Sequence, residues 1–412
     1  MLVKTISVQV TGMAHGGDAV ARHEGKVVFV PYLIPGEEAL VEIVEEKANF
    51  SRAWPVEVIS NSPDRVEALC NHFGVCGGCH WQHISYERQL ILRREILESQ
   101  LTRIGGLPEA TVKPTVPSPQ PWYYRNNVQL HVDGEGQLGF IEATRDRILP
   151  ITECHIMQPL VWEMWSALEI DFPGLERVTL RASTSTREQL IVLESARHEV
   201  PEVELDLPVS CVLLLPNGTP ITYVGTGYIT EEVHGGRLRV SANSFFQVNT
   251  GQLERLVSIV EGYAEPHGSD FVLDLYCGVG TLGLSLADEV GGLLGIDDSE
   301  SAIEDAWFNS QEFENVAFLQ GSVEDLISRV EEKADLVLLD PPRRGVSRNA
   351  LDAIVERAPA RVIYVSCDPA TLARDIGTMV QGGYEVVEIQ PVDMFPQTYH
   401  VEAVALLRLR PR

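Results

Sequence analysis

Positive charge is scarce in this sequence. The 32 lysines and arginines face 59 aspartates and glutamates, for a formal net charge of −27. That balance argues against a polyanionic partner unless cations gather locally. Short basic groups exist: Arg93-Arg94, Arg343-Arg344 with Arg348, and Arg374. Each reads equally well as a solvated helix or loop face. Long apolar runs are missing, so no segment suits a bilayer and no membrane contact is expected. The opening MLVKTISVQV alternates like a strand and lacks the basic start and apolar core of a signal peptide. A cytoplasmic protein is the expectation. No low-complexity segment or repeat of about 20–50 residues is visible.

Cysteine is sparse as well, with seven in 412 residues. In a cytoplasmic chain these are not expected to pair as disulfides. Cys70, Cys76 and Cys79 cluster, while Cys154, Cys211, Cys277 and Cys367 are scattered. Metal binding, catalysis and burial are the roles to weigh.

What is present is an ordinary globular composition, 44% hydrophobic and 22% charged. The length calls for two or three domains. Up to about residue 60, short β-branched runs (Thr5–Val10, Lys26–Val30, Ala39–Val44, Ala53–Ile59) alternate with Gly-rich and Pro-Gly turns. That pattern predicts a small OB-like barrel. An amphipathic helix is predicted from about Ser85 to Ile104, closed by Gly105-Gly106. Residues 113–240 are strand-rich, with hairpin signals such as VDGEGQLGF. From Phe271 onward, apolar strands alternate with helices, the mark of a doubly wound α/β sheet whose sites lie at the strands' carboxyl ends.

Four motifs carry chemistry. In VLDLYCGVGTLGL a strand runs into a Gly278-x-Gly280 turn that lets the backbone approach a ligand. Asp297 ends the next strand, where an acid would hold ribose hydroxyls, so a nucleoside cofactor is expected. Cys277 within the turn reads as a packing residue. In ADLVLLDPPRRG, Asp340 ends a strand before two prolines that fix a rigid turn. The turn resembles those of methyltransferases that act on planar heterocycles, although a plain strand-terminating turn has the same appearance.

The third motif is VSCDPATLARD, where Cys367 ends a strand and a helix starts near Pro369. Methylating an amine needs no enzyme nucleophile, but C5 of uracil does, because that carbon is weakly nucleophilic. A thiolate added at C6 makes C5 enolate-like, and a base must then remove the C5 proton. A free thiol titrates near about 8.5, so activation is needed, and the helix N-terminus is expected to supply it. Glu402, in the final strand reading YHVEAVALLRL, and the neighbouring His400 compete as the base. A buried apolar cysteine is the plain alternative for Cys367.

The fourth is C-x5-C-G-G-C at Cys70, Cys76 and Cys79, with Cys154 in TECHIMQP as a distant fourth thiolate. Four soft ligands suit iron–sulfur or zinc, and this spacing is unlike common zinc knuckles.

Taken together, C-x5-C-G-G-C with Cys154, SFFQVN, DLYCGVG, DPPR, SCDPATLARD and the late H-V-E resemble the RNA uracil-C5 methyltransferases of the bacterial ribosomal kind. The resemblance covers nearly the whole chain. It implies an α/β fold with a C-terminal Rossmann-like methyltransferase domain, an N-terminal TRAM barrel (1–60), and a central domain (61–83 and 113–240) with a [4Fe-4S] cluster. Residues 84–112 would join 241–412 in the catalytic domain. It further implies S-adenosyl-L-methionine as cofactor and RNA, 23S rRNA favoured over tRNA, as substrate; a monomer is assumed. By motif, Cys70, Cys76, Cys79 and Cys154 would ligate the cluster. Gln247, Tyr276, Gly278, Asp297 and Asp340 would line the cofactor and uracil pocket. Cys367 would be the nucleophile and Glu402 the general base. The sequence departs from the family pattern at Asp297 (usually Glu), Asp368 (usually Asn) and Ser322 (usually a carboxylate or amide). A charged Asp368 would oppose thiolate formation. Two other readings are a nitrogen-directed RNA methyltransferase, which needs no Cys367, and a catalytically silent RNA-binding iron–sulfur protein.

Overall fold

Five N-terminal strands close on themselves in the computed structural model, which describes residues 4–170, 172, 174–198, 200 and 208–411. The first three residues of the predicted N-terminal strand lie outside that range. These strands are β1 (Thr5–Met13), β2 (Ala19–His23), β3 (Lys26–Val30), β4 (Glu38–Glu46) and β5 (Phe50–Ser60). Alternation along β1 puts Ile6, Val8 and Val10 inside, against Ala21, Val28 and Val41. Closure removes the free edges that a five-stranded sheet would expose.

A loop carrying three cysteines leads to α1 (Tyr86–Gln100), which ends in one π turn at Leu101–Gly105. Gly106 then takes φ +65°, a left-handed cap that glycine adopts without strain. The π turn lies close to α8 (Pro369–Gln381); a Cβ on Gly105 would stand 2.8 Å from the Ala373 carbonyl.

The middle of the chain forms a seven-stranded sheet ordered β12-β11-β10-β9-β6-β7-β8. Its strands are β6 (Asn127–Val132), β7 (Leu138–Ile141), β8 (Ile148–Pro150), β9 (Leu175–Ala182), β10 (Gln189–Ser195), β11 (Ser210–Leu214) and β12 (Pro220–Val224). One face is covered by α2 (Pro159–Ala167), giving this region its own core around Leu130, Met164, Leu180 and Leu213. A hairpin of β13 (Tyr228–Val233) and β14 (Gly236–Ser241) follows, then α3 (Thr250–Ala264), capped by the Asn249 side chain.

The C-terminal sheet is β17-β16-β15-β18-β19-β21-β20. Its parallel strands are β15 (Phe271–Leu275), β16 (Gly292–Asp297), β17 (Val316–Gln320), β18 (Leu336–Leu339) and β19 (Arg361–Ser366). Two strands complete it: β21 (Glu402–Leu409), antiparallel to both its neighbours, and the edge strand β20 (Tyr384–Val392), which therefore runs in the same direction as the other five. The crossovers are α4 (Thr281–Leu284), α5 (Glu300–Asn309), α6 (Val323–Leu326), α7 (Arg348–Arg357) and α8. Near-continuous apolar strands such as Leu336–Leu339 are buried on both faces, as parallel strands under two helix layers must be. The core on one face also takes in Leu92, Ile96 and Leu97 of α1, packed with Leu372, Ile376 and Val401. Among the described residues no helix is long and apolar enough to cross a membrane.

Candidate active site

Sheet register brings the predicted residues to one edge. β15 pairs with β18 at Leu275–Leu339, and β18 with β19 at Leu339–Tyr364. Asp340 therefore emerges beside Tyr276 at the strands' carboxyl ends. The antiparallel pairing of β19 with β21 runs Val365–Val404, then Ser366–Ala403. Continued by one pair, it sets Cys367 opposite Glu402. Residues far apart in sequence thus meet because β21 inserts beside β19.

The pocket is a cluster of acids around one thiol. Glu402 is 1% exposed, and its Oε1 has no hydrogen-bond partner. Burial and the nearby Asp340 charge push its carboxyl well above the ordinary range, against the pull of Arg343. Asp340 rises to about 7 through burial and the charge of Asp297. Asp274, fully enclosed behind the glycine turn, also rises to about 7, chiefly through burial. It accepts the Gly283 N–H at 3.0 Å, while its Oδ1 is unpartnered. Asp297 accepts N–H groups from Gly278 and Ser299, each at 2.9 Å, so acid and glycine turn form one unit. Tyr276, with φ +62° at the turn, donates its hydroxyl to Glu324 at 3.3 Å.

One expectation about Cys367 is not met. Its thiol is pushed up to about 12 by burial and by the charges of Glu402 and Asp340. The N-terminus of α8 does not reverse this, because Asp368 takes its free amides. That carboxylate accepts the Ala370 and Thr371 N–H groups, each at 2.9 Å. Burial works against ionising Asp368, but His15 and those amides outweigh it and bring it down to about 2. His15 reaches it from the barrel at 3.2 Å. The cation acting on the thiol is Arg343, whose charge opposes the upward push on Cys367. Its Nη2 also lies 3.4 Å from the His400 ring nitrogens. His400 is driven down to about 3 by burial and Arg343, which makes it a weak base.

Sequence reading passed over the site roles of Arg343, Asp274 and His15. Arg343 follows the Pro-Pro turn directly, which was the available signal. Asp274 opens D-x-x-C-G-x-G. Nothing local marks His15. Arg93, in contrast, leaves the set of surface cations: it is fully buried, 3.0 Å from Asp393. Gln247 lies in the segment entering α3, its carbonyl accepting from Asn126 at 3.3 Å. No hydrogen bond among the described residues joins its side chain to the Cys367 group. Beside it Phe245 is 72% exposed, a large aromatic left in solvent.

The four remaining candidate cysteines share a second neighbourhood. Cys154 acts electrostatically on Cys70, Cys76 and Cys79. Burial pushes Cys76 to about 11 and Cys79 to about 12, and raises Cys70 and Cys154 as well. The loop is pinned by the Gly77 N–H donating to the Ile141 carbonyl at 2.9 Å, and the Gly78 N–H points at Cys76 Sγ, 3.4 Å away. Among the described residues, no three His, Cys, Asp or Glu side chains stand in metal-ligand geometry.

An open parallel sheet with a glycine turn and an acid after its first two strands is the architecture of an S-adenosylmethionine-dependent methyltransferase. Residues 223–410 match the family model for tRNA (uracil-5-)-methyltransferase, and residues 1–56 match that for the TRAM domain. A relative called an uncharacterized RNA methyltransferase, from Streptomyces avermitilis, is 38% identical across 97% of each chain. One of the same description from Halalkalibacterium halodurans is 34% identical over 98% of this chain and 97% of its own. The solved tRNA (uracil-54, C5)-methyltransferase of Pyrococcus abyssi, in complex with S-adenosyl-L-homocysteine, superposes with a TM-score of 0.77 at 28% identity. That match covers 98% of this chain and all of the other. The chain belongs to the RNA (uracil-5-)-methyltransferase family and is an S-adenosylmethionine-dependent enzyme acting on RNA.

Proposed function

We propose that the enzyme methylates C5 of a uridine in 23S ribosomal RNA through a covalent adduct between Cys367 and C6, with Glu402 as general base. The carrying observation is the thiol just past β19, set by the register opposite a buried glutamate whose Oε1 is unpartnered. In this reading the Cys367 sulfur forms a bond to C6, and electron density moves to C5. S-adenosylmethionine, when bound, supplies an electrophilic methyl group. Glu402 then accepts the C5 proton as the C6–S bond breaks and its electrons return to sulfur. Arg343 stabilises the thiolate at both ends of that sequence. Glu402 is preferred to His400, because a base held near about 3 competes poorly for a carbon-bound proton.

Asp274, Asp297 and Asp340, with the Gly278 turn, Tyr276 and Gln247, would hold the cofactor and the uracil edge. The unpartnered Oδ1 of Asp274 and the convergence of three acids fit a ligand bearing hydroxyls and an amino group. The four desolvated thiols fit an iron–sulfur cluster as a donor set, and Cys70, Cys76, Cys79 and Cys154 would hold it. A cluster there would tie the loop after the barrel to the segment before α2. Ribosomal RNA is favoured because the resemblance carried by this cysteine set and the barrel is to the ribosomal kind. The Pyrococcus abyssi enzyme favours tRNA as the second reading. A cytoplasmic setting, and the division into a barrel (1–60), a cysteine-bearing middle (61–83 and 113–240) and a catalytic part (84–112 and 241–412), belong to the same proposal.

The test is nucleoside mass spectrometry on unmodified 23S rRNA and tRNA, each incubated with S-adenosylmethionine and wild-type or Cys367→Ala protein. Wild-type-only 5-methyluridine in 23S rRNA is the expected result. Its appearance in tRNA alone changes the target. Its formation by Cys367→Ala overturns the covalent step.

A further inference from the structure

A chain with a net charge of −27 gains from RNA contacts that do not depend on phosphate charge, and one cleft offers them. A cavity of about 390 Å³ opens where the barrel, the cysteine loop and the catalytic sheet's last loop meet. Its walls include Phe29, Tyr32 and Trp54 from the barrel, His80 from the cysteine loop and Tyr399 from the segment before Glu402. Trp54 and Tyr32 stand edge to face at 5.8 Å. The cation in the wall, Arg52, is already paired with Asp18 at 2.9 Å. The cleft therefore presents aromatic faces with a balanced charge, which suits an uncharged planar group and not a phosphate.

A chain of neighbouring side chains links the cleft wall to the active site. The Tyr399 ring centre lies 4.4 Å from that of His80 and 4.5 Å from that of His400, and His400 adjoins Arg343, the cation whose charge acts on Cys367. The barrel is locked there at close range. Gly17 adopts φ +88°, and a Cβ on it would lie 2.8 Å from Tyr399 Cβ. The His15–Asp368 contact fixes the same loop two residues earlier.

We infer that this cleft binds an unpaired nucleobase of the substrate RNA, one that flanks the target uridine and is splayed out of its stack together with it. Single-stranded RNA is held by stacking on aromatic side chains, and every base has a face to offer. The size lies in the range of small-ligand pockets, about 300–1,000 Å³. This inference rests on the proposed uridine-directed activity and adds a second base site to it.

The test uses a fluorescein-labelled single-stranded RNA with one central uridine among adenosines, and versions with one flanking adenosine replaced by an abasic ribose. Binding is read by anisotropy at low salt. With wild-type protein, one flanking position should raise Kd about 5- to 100-fold when its base is removed, the size of one aromatic stack. In Trp54→Ala that penalty should vanish, while Trp54→Phe keeps most of it. Trp54 is 40% exposed on the barrel, and Thr144→Trp, which fills the cleft from an exposed loop position, should reproduce the loss without removing any contact. The slope of binding against salt should be the same in all variants, because no phosphate contact is lost. Penalties that multiply independently of the variant, or no sensitive position at all, overturn the base site. Anisotropy needs no turnover. Coupling without 5-methyluridine would therefore sink the proposed reaction and leave the cleft standing. Product without coupling would do the reverse.

Discussion

Arg93→Met should loosen the segment that delivers Glu402. Arg93 and Asp393 are both fully buried, 3.0 Å apart. The guanidinium also donates to the carbonyls of Phe395, Thr398 and His400, at 3.0, 2.8 and 3.3 Å, and lies 5.1 Å from the Trp81 ring centre. One side chain on α1 thus gathers most of the loop before β21. Removing it leaves a buried carboxylate without its cation, which costs about 3–5 kcal/mol. At about 1.4 kcal/mol per factor of ten, that loss corresponds to opening of the 393–402 segment at least a hundredfold more often. Amide hydrogen exchange over these residues reads it directly, which suits a multidomain chain better than one global unfolding curve. The deficit should depend on pH with a definite sign. Burial already lifts Asp393 above the usual carboxylate range despite Arg93. Without Arg93 it rises further, so the folded variant binds a proton that the unfolded chain has released. Stability then falls as pH rises, and the deficit is larger near about pH 8 than near about pH 5. The double variant Arg93→Met/Asp393→Leu should recover much of the protection. Unchanged exchange in Arg93→Met, or an equal deficit at both pH values, would refute the clamp.

Glu402→Gln should lower turnover by about 10²–10⁴-fold. It should also leave an RNA–protein adduct on denaturing gels that Cys367→Ala cannot form; turnover within tenfold of wild type would remove Glu402 as the base. The rate constant kcat/KM should rise with pH through about 7 as Asp340 ionises, and the Glu402 carboxyl, raised by burial and by the Asp340 charge, should add to the same loss of activity on the acid side. Asp340→Asn should shift or erase that limb, and a pH profile unaltered by the substitution contradicts the coupling. Asp368→Ala should destabilise the protein by about 0.5–2 kcal/mol through the lost cap of α8, whereas Asp368→Asn keeps the cap and should cost less. Because Asp368 is depressed to about 2, its contribution is complete above about pH 4 and fades on acidification toward 2; thermal unfolding at about pH 7 and pH 3 checks both statements.

What could be read in the sequence was local or periodic. Alternation in TISVQV marked a barrel strand, and the unbroken LVLL run marked a strand buried on both faces. The turn chemistry of CGVG and DPP marked where strands stop, so Gly278, Asp297, Asp340 and Cys367 could be named as candidates before any contact was known. These signals survive in one dimension because side-chain periodicity and backbone-restricting residues act over a few positions. The pairing of Cys367 with Glu402 is different in kind, since it depends on β21 entering antiparallel beside β19. The same holds for Arg93, which reads as half of an exposed Arg-Arg pair and is buried because α1 packs under α8. The state of the Cys367 thiol was also decided in three dimensions. Sequence placed a helix N-terminus beside it, but Asp368 consumes those amides, and Glu402 and Asp340 set the charge the thiol meets. Sequence by itself therefore determined where strands end and which reactive groups stand there. Only the tertiary structure decided which of those groups face one another, because desolvation and Coulomb interaction depend on distances that the order of residues does not contain.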